Sequence, residues 1–363
     1  MASLSQLGNS LYRGDVSYNI VGRRKAWYLV SAILIVLSIA TLGVRGLNLG
    51  IEFKGGAEFS VPLTVANDQS VSQARETVLA AGETPSTVTI IGGDTIRVQT
   101  PALSTEASNA LSAALAESFA VEEANIKVQL VGPSWGDEVT KNALRALLVF
   151  LVLVAVFLSV YFEWQMAVAA LAALAHDVLI TVGIYALSGF EVTPASVIGF
   201  LTILGYSLYD TVVVFDKVKE NTKGIHGGSR TTYSEAANLA LNQTLVRSIN
   251  TSIVALLPVL SILVVGVSLL GVGTLNDLAL ALFVGMLVGT YSSLFFATPF
   301  LCQMKERAAE NIALAKRVQA RRKGGDSAGD DLKPVVSIGA PIVASAGPRQ
   351  QRVKKTRSRR SGK

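Results

Sequence analysis

Two carboxylates in this sequence of 363 residues lie inside long apolar runs, where hydrocarbon should exclude a charge. Asp177 is near the middle of one run, and Asp210 lies towards the end of the next. Acidic residues in such positions normally face the interior of a helix bundle and mark a pathway for protons or other ions. The sequence therefore predicts a proton relay that includes Asp177 and Asp210.

Polar side chains accompany Asp210 along its own run. Thr202, Tyr206 and Asp210 recur at every fourth residue, and Ser207 is adjacent to Tyr206. A helix would place these side chains in a stripe along one face. We interpret the stripe as support for the relay.

Arg247 is the candidate counter-charge. Asn250 and Thr251 follow it after three and four residues, on the same face of a helix. In a dry bundle an arginine keeps a neighbouring carboxylate ionised, whereas separation from the arginine favours the protonated form. A proton carrier needs both states. The alternative, that Arg247 is a basic anchor at the membrane surface, stays open on these residues alone.

Composition argues against an enzyme. Half of the residues are hydrophobic and 16% are charged, whereas soluble domains have about 25% charged residues. Cys302 is the only cysteine, which excludes an intramolecular disulfide and a cysteine metal site. His176 and His226 are far apart and belong to no ligand-spaced motif. We expect no catalytic residue, no metal and no cofactor beyond a coupling ion.

Apolar runs bounded by charged residues predict six transmembrane helices, each long enough to cross a bilayer. The last run contains Gly285 and Gly289 in a G-x-x-x-G spacing, which predicts close helix packing. The predicted fold class is a polytopic α-helical membrane protein. The spans are Trp27–Val44, Ala143–Tyr161, Met166–Leu187, Pro194–Phe215, Thr244–Leu270 and Leu278–Leu301.

Charge predicts the orientation, because short cytoplasmic loops hold an excess of Lys and Arg. Residues 51–140 contain 12 acidic and 4 basic residues, so they are placed outside. The predicted regions are a cytoplasmic N-terminus at 1–26, a first transmembrane helix at 27–47, an extracytoplasmic domain at 48–140, further helices within 141–301 with a cytoplasmic loop at 216–243, and a cytoplasmic tail at 302–363.

The segment between the first two spans alternates strand and helix patterns in the order β-α-β-β-α-β, which predicts a ferredoxin-like α+β domain. The segment contains no His and no Cys, so a binding or mechanical role is favoured over catalysis. From Lys305 to Lys363 the tail has 16 basic and 5 acidic residues. We interpret the tail as disordered and in contact with anionic lipid, in preference to nucleic acid.

Several motifs occur together in a recognisable order. Four motifs resemble those of the SecF branch of the SecD/SecF family. They are LTILGYSLYDTVVVFDKVKEN at Leu201–Asn221, GIEFKGG at Gly50–Gly56, AHDVLITVG at Ala175–Gly183 and QTLVRSINTS at Gln243–Ser252. Two positions depart from the family pattern. Tyr209 stands where an Asn usually precedes the acidic residue, and Glu52 replaces an Asp.

The resemblance implies an accessory subunit of the bacterial Sec translocase in the cytoplasmic membrane, within the resistance-nodulation-division superfamily. Such subunits work with SecD and the SecYEG channel, with YajC as a further candidate partner, and use the proton motive force to promote export of unfolded polypeptide. The resemblance assigns proton passage to Asp210 and Arg247, and Na⁺ is not excluded as the coupling ion. Half of a small-molecule secondary exporter and a non-conducting scaffold of the translocase are the alternatives.

Overall fold

A computed structural model describes residues 10–11, 13, 16–265 and 273–325 of the chain. Six helices in these ranges are long and apolar enough to cross a membrane. A small α+β domain lies between the first and the second of them. The predicted fold class is therefore confirmed.

The described elements follow one another in a simple order. The helices are α1 (Arg24–Arg45), α2 (Ile51–Lys54), α3 (Asp68–Ala80), α4 (Thr105–Phe119), α5 (Pro133–Tyr161), α6 (Trp164–Ser188), α7 (Pro194–Thr222), α8 (Tyr233–Val265), α9 (Gly273–Ser292), α10 (Thr298–Glu306) and α11 (Ala309–Gly325). A π-helical turn at Ser293–Ala297 joins α9 to α10. The strands are β1 (Asn48–Leu49), β2 (Gly56–Pro62), β3 (Thr87–Ile91), β4 (Thr95–Thr100), β5 (Lys127–Val131) and β6 (Glu191–Val192).

The α+β domain has a four-stranded sheet in the order β3-β4-β2-β5, with every neighbouring pair antiparallel. Alternate residues of a strand point to opposite faces, and Ala57, Phe59 and Val61 of β2 all point into the core. There they meet Leu111 and Leu115 of α4, which are fully buried. The strand order and the two crossover helices are those of a ferredoxin-like fold.

The helices extend beyond the apolar runs of the sequence. The segment 216–243, which the sequence assigns to a loop, is largely helical, because α7 continues to Thr222 and α8 begins at Tyr233. Ala237 and Leu241 in the first turns of α8 are fully buried in the main bundle core. A search for apolar runs detects the hydrocarbon-spanning part of a helix, and it misses polar ends that pack on neighbours.

The prediction that residues 302–363 are disordered is wrong for the first part of that segment. Residues 302–325 contain the end of α10 and all of α11. Leu314 and Val318, four residues apart on one face of α11, are fully buried. Arg322 of the same helix forms an ion pair with Glu235, at 2.9 Å. Residues 326–363, which carry most of the predicted lipid contact, lie outside the described residues.

The bundle is most enclosed around α6, α7 and α9, whereas α1 and α5 are largely exposed. Alanines on α6, among them Ala169, Ala170 and Ala173, are buried almost completely, and their small side chains allow neighbouring helices to approach. Polar groups on the packed faces of these three helices are thereby withdrawn from the surface of the chain.

Candidate functional site

Asp177 lies on the buried face of α6, with 1% of its surface exposed. Its Oδ2 atom accepts a hydrogen bond of 2.5 Å from Ser207 Oγ of α7. Its Oδ1 atom is 3.2 Å from Nδ1 of His176, whose ring stacks on Phe296 with a centroid distance of 4.7 Å. The prediction that Asp177 is buried against neighbouring helices is confirmed.

Asp210 is the second buried carboxylate, at 4% exposure on α7. Its Oδ2 atom accepts a hydrogen bond of 2.7 Å from Ser293 Oγ. Ser293 is fully buried and begins the π-helical turn after α9. Such turns insert an extra residue into a helix and are frequent at functional sites. The sequence did not indicate the role of Ser293, because the π turn has no clear sequence signature.

Glycines on α9 bring it close to α7. A Cβ atom at Gly289 would lie 2.9 Å from Cβ and 3.1 Å from Oγ of Ser207, and one at Gly285 would overlap Ile203. Only glycine fits at this separation, since real Cβ atoms do not approach so closely. The predicted packing glycines thus lie directly beside the site, and Ser293 follows Gly289 by about one helical turn.

The polar stripe on α7 does not form a continuous hydrogen-bonded chain in the structure. Thr202 is exposed, and its hydroxyl donates to Ile198 O of the preceding turn at 2.8 Å. Tyr206 is half-buried and packs against the apolar cluster that includes Val259 and Met286. Ser207, which the stripe placed only beside the relay, makes the direct contact with Asp177.

Arg247 does not approach Asp210. Its side chain is exposed and donates a long hydrogen bond of 3.5 Å to Tyr209 Oη. Asn250 is also exposed, and the half-buried Thr251 donates to the backbone oxygen of Arg247 at 3.0 Å. The expected Asp210–Arg247 pair is absent from the ion pairs of the residues that the structure describes.

The buried polar face of α8 is a different one. Thr244, Ser248 and Ser252 are spaced by four residues and are all buried. Ser252 Oγ accepts a hydrogen bond of 2.9 Å from Thr290 of α9. Because successive helical residues are rotated by about 100°, a face that carries 244, 248 and 252 turns 247 and 250 away from the core. Sequence spacing alone could not show which of the two polar faces is buried.

The surroundings of Asp177 are tightly packed. A small cavity beside it is lined by Asp177, Thr181 and the apolar residues Phe200, Ile203 and Leu204, and it has room for about one water molecule. Among the described residues no group of three or more His, Cys, Asp and Glu side chains could hold a metal ion. Asp210 is therefore stabilised mainly by one hydroxyl group, and Asp177 by one hydroxyl group and the ring of His176. Burial of a charge with so little compensation is costly.

Two family models and several known proteins match this chain. The profile of "Protein export membrane protein SecD/SecF, C-terminal" matches residues 111–307, and that of the "SecD/SecF GG Motif" matches residues 40–65. The protein translocase subunit SecF of Streptomyces coelicolor is 46% identical over 99% of this chain and 98% of its own length. The SecF subunit of Mycobacterium tuberculosis is 45% identical over 88% of this chain and 74% of its own.

Solved structures agree with these matches. The crystal structure of SecDF from Thermus thermophilus, described as a translocon-associated membrane protein, superimposes with a TM-score of 0.71 at 32% identity. The match covers 81% of this chain and 39% of the SecDF chain, so this chain spans about two fifths of that protein. The chain therefore belongs to the SecD/SecF family as a SecF-type, multi-pass membrane subunit of the protein translocase.

Proposed function

We propose that this chain uses the proton motive force to promote polypeptide export, with Asp210 as the principal proton carrier and Asp177 as a second member of the relay. The observation that carries the proposal is the burial of two carboxylates in the membrane bundle with hydroxyl groups as their main partners. Binding of a proton neutralises a buried carboxylate and so removes the cost of its charge. We favour H⁺ over Na⁺ because each carboxylate has too few oxygen neighbours to replace the water shell of a metal ion.

The two serines suit a group that changes its charge. A hydroxyl can donate a hydrogen bond and can also accept one. Ser293 donates to ionised Asp210, and after rotation of its hydroxyl it can accept from the protonated acid. Ser207 stands in the same relation to Asp177. The carboxyl groups can therefore gain and lose a proton without a large movement of the helices.

The exposed position of Arg247 indicates that a partner covers one face of the bundle. Arg247 and Tyr209 are exposed on membrane helices, where a charge against acyl chains would be costly. The matched SecDF protein joins a SecF-like part to further sequence in one chain. We propose that SecD covers the Arg247 face in a complex and that rearrangement there brings Arg247 into contact with the relay. SecYEG, YajC and the exported polypeptide are proposed as further partners.

The proposed orientation places the α+β domain outside and both termini in the cytoplasm. It follows from the net charge of −8 on residues 51–140, which carry 12 acidic and 4 basic residues. In a Cys302→Ala background, an impermeant thiol reagent added outside should label Asp94→Cys and spare His226→Cys. Equal labelling of both positions would reject the orientation.

The decisive experiment replaces Asp210 by Asn. The amide keeps the shape of the side chain but cannot release a proton, so proton-gradient-dependent export in membrane vesicles should fall to the level measured without this subunit. Asp210→Glu should keep part of the activity, because a carboxylate remains but is displaced by one methylene. Asp94→Asn removes a carboxylate at an exposed turn and serves as the control. Full activity of Asp210→Asn at matched protein level would favour the scaffold function instead.

A further inference from the structure

A second group of carboxylates lies outside the membrane-spanning segments, where the α+β domain meets the ends of the bundle. We call these carboxylates and the two donors beside them the joint. The carboxylates are Glu52 of α2, Glu58 of β2 and Glu191 of β6, and the donors are Arg97 and Gln99 of β4. Glu191 lies between the third and fourth membrane helices, whereas Glu58, Arg97 and Gln99 belong to the sheet of the domain. The joint therefore connects the two parts of the molecule.

The contacts across the joint are short and buried. Arg97 forms an ion pair of 2.9 Å with Glu191, whose side chain is 7% exposed. The amide nitrogen of Gln99 donates to Glu191 at 2.8 Å and to Glu58 at 2.9 Å. Next to these contacts, β1 pairs in parallel with β6, with Asn48 opposite Glu191. Glu191 thus ties the sheet of the domain to the membrane helices through Arg97 and Gln99.

The joint has too few donors for its carboxylates. The Oε2 atom of Glu52 is buried without a hydrogen-bond partner among the described residues. A Cβ atom at Gly50 would lie 2.6 Å from this oxygen and 3.0 Å from Oε1 of Glu191, so the two carboxylates crowd the same glycine. Asp277, in the first turns of α9, adds a fourth negative charge that interacts with Arg97, Glu191 and Glu52.

A narrow backbone neck lies beside the joint. The two segments that connect the domain to the membrane helices run against each other through glycines. A Cβ atom at Gly136 would lie 2.6 Å from Phe53 O, and one at Gly55 would lie 2.9 Å from Cα of Pro133. Gly55 also has a φ of +76°, which other residues rarely adopt. A narrow backbone neck of this kind can act as a hinge once the side-chain contacts of the joint are released.

We infer that the joint is a proton-sensitive latch: a proton on Glu52 holds the domain on the membrane helices, and its loss lets Glu52 repel Glu191 and Glu58 and frees the domain to move about the neck. Protonated Glu52 supplies the donor that the joint lacks, and Oε1 of Glu191 lies against the same glycine, Gly50. The inference does not use Asp210, so it stands or fails independently of proton passage through the bundle. It requires only that the joint faces the outer compartment.

Electrostatics give the direction of the effect. Burial raises the pKa of the Glu52 carboxyl above its ordinary value, and the charges of Glu191 and Glu58 raise it further, while its own backbone amide and Arg97 oppose the shift. The docked arrangement therefore binds a proton on Glu52 more tightly than the released one. By linkage, docking is favoured at low outer pH and weakens as the pH rises through this raised pKa.

The test measures the distance between the domain and the bundle. Spin labels at Asp94→Cys and Ser188→Cys, both exposed, report on it in the full chain assembled with its partner subunit in lipid nanodiscs, with Cys302→Ala throughout. When the pH is lowered from about 8 to about 5, a range that covers raised glutamate pKa values, the distribution of distances between the two labels should narrow. Glu52→Gln should keep it narrow at every pH. Glu191→Ala should keep it broad, because Arg97 and Gln99 lose their shared partner.

Two further variants complete the design. Glu76→Gln, which neutralises an exposed carboxylate on α3, should respond to pH like the unsubstituted chain. Glu58→Gln removes one charge that acts on Glu52, so the midpoint of the pH response should move to lower pH. An unsubstituted chain whose distances ignore pH, or a Glu52→Gln variant that keeps the full response, would overturn the latch.

Discussion

The molecule buries carboxylates in two places, and it stabilises them differently. In the membrane bundle, Asp177 and Asp210 lie apart, each beside its own serine hydroxyl. At the joint, four acidic side chains share one arginine and one amide, close to the membrane surface. The available cations explain the difference, because Arg97 offsets part of the repulsion at the joint, whereas the described residues pair no Lys or Arg with Asp177 or Asp210.

This contrast separates two kinds of response to a proton. An isolated buried carboxylate changes between charged and neutral forms without affecting other acids nearby. A crowded carboxylate changes the repulsion within its whole cluster and can therefore move one part of the protein against another. The bundle is thus suited to carry protons, and the joint is suited to sense them.

After Asp210→Asn, the largest effect is expected from Asp177→Asn. The amide cannot carry a proton, yet it still accepts the hydrogen bond from Ser207, so the helices should pack as before. Proton-gradient-dependent export in vesicles should fall towards the level without the subunit, while the amount of assembled complex is unchanged. If export survived and only the position of the α+β domain changed, the division between a carrying bundle and a sensing joint would be wrong.

The next largest effect is expected from Gly289→Val, which breaks the contact that holds the bundle site together. The new side chain would clash with Ser207, and overpacking of this kind costs about 1–3 kcal/mol. The midpoint of thermal unfolding of the purified chain should fall by several degrees, and export should fall with it. Gly205→Ala on α7 is the control, because its Cβ atom would meet nothing within 4 Å. Equal stability of both variants would contradict the close approach of α7 and α9.

Hydropathy and alternation were enough to predict much of this structure. Six apolar runs indicated the membrane helices, and the β-α-β-β-α-β order indicated the domain, because both signals are carried by residues near in sequence. The burial of Asp177 and Asp210 followed from the cost of a charge in hydrocarbon. These features depend on local pattern and on the solvent, so a single sequence reveals them.

Features that depend on contacts between distant residues were not predictable. The outward direction of Arg247 depends on which face of α8 packs inward. The contact of Ser293 with Asp210 depends on a π turn, and the Arg97–Glu191 pair joins residues 94 positions apart that belong to different parts of the fold. The helical start of the tail depends on the burial of Leu314 and Val318 by the rest of the chain. Each of these features arises only from the tertiary arrangement of the chain, so the sequence alone does not reveal it.

A partial effect is expected from Arg247→Lys, which tests whether the exposed face takes part in the carrier cycle. Lysine keeps the charge but loses the planar fork of arginine, which can hold two acceptors at once. The loss of one charge-assisted hydrogen bond costs about 1.5 kcal/mol, or roughly a tenfold loss in export rate. If Arg247→Lys had the same export activity as the unsubstituted chain and assembled equally well with SecD, Arg247 would be only an anchor at the surface.

The smallest effect is expected from Ser293→Ala, compared with Ser292→Ala. Ser293 donates to Asp210, whereas the adjacent Ser292 donates to the backbone oxygen of Gly289. Removal of the hydroxyl leaves the proton-binding carboxyl in place but takes away the partner that holds it. A lost hydrogen bond of this kind costs about 0.5–1.5 kcal/mol, so export should slow by roughly two- to tenfold. Both serines are buried to the same extent, and a general packing defect would therefore slow both variants alike. A selective loss in Ser293→Ala would show that the hydroxyl beside Asp210 contributes to proton transfer, and equal rates in the two variants would assign Ser293 to packing.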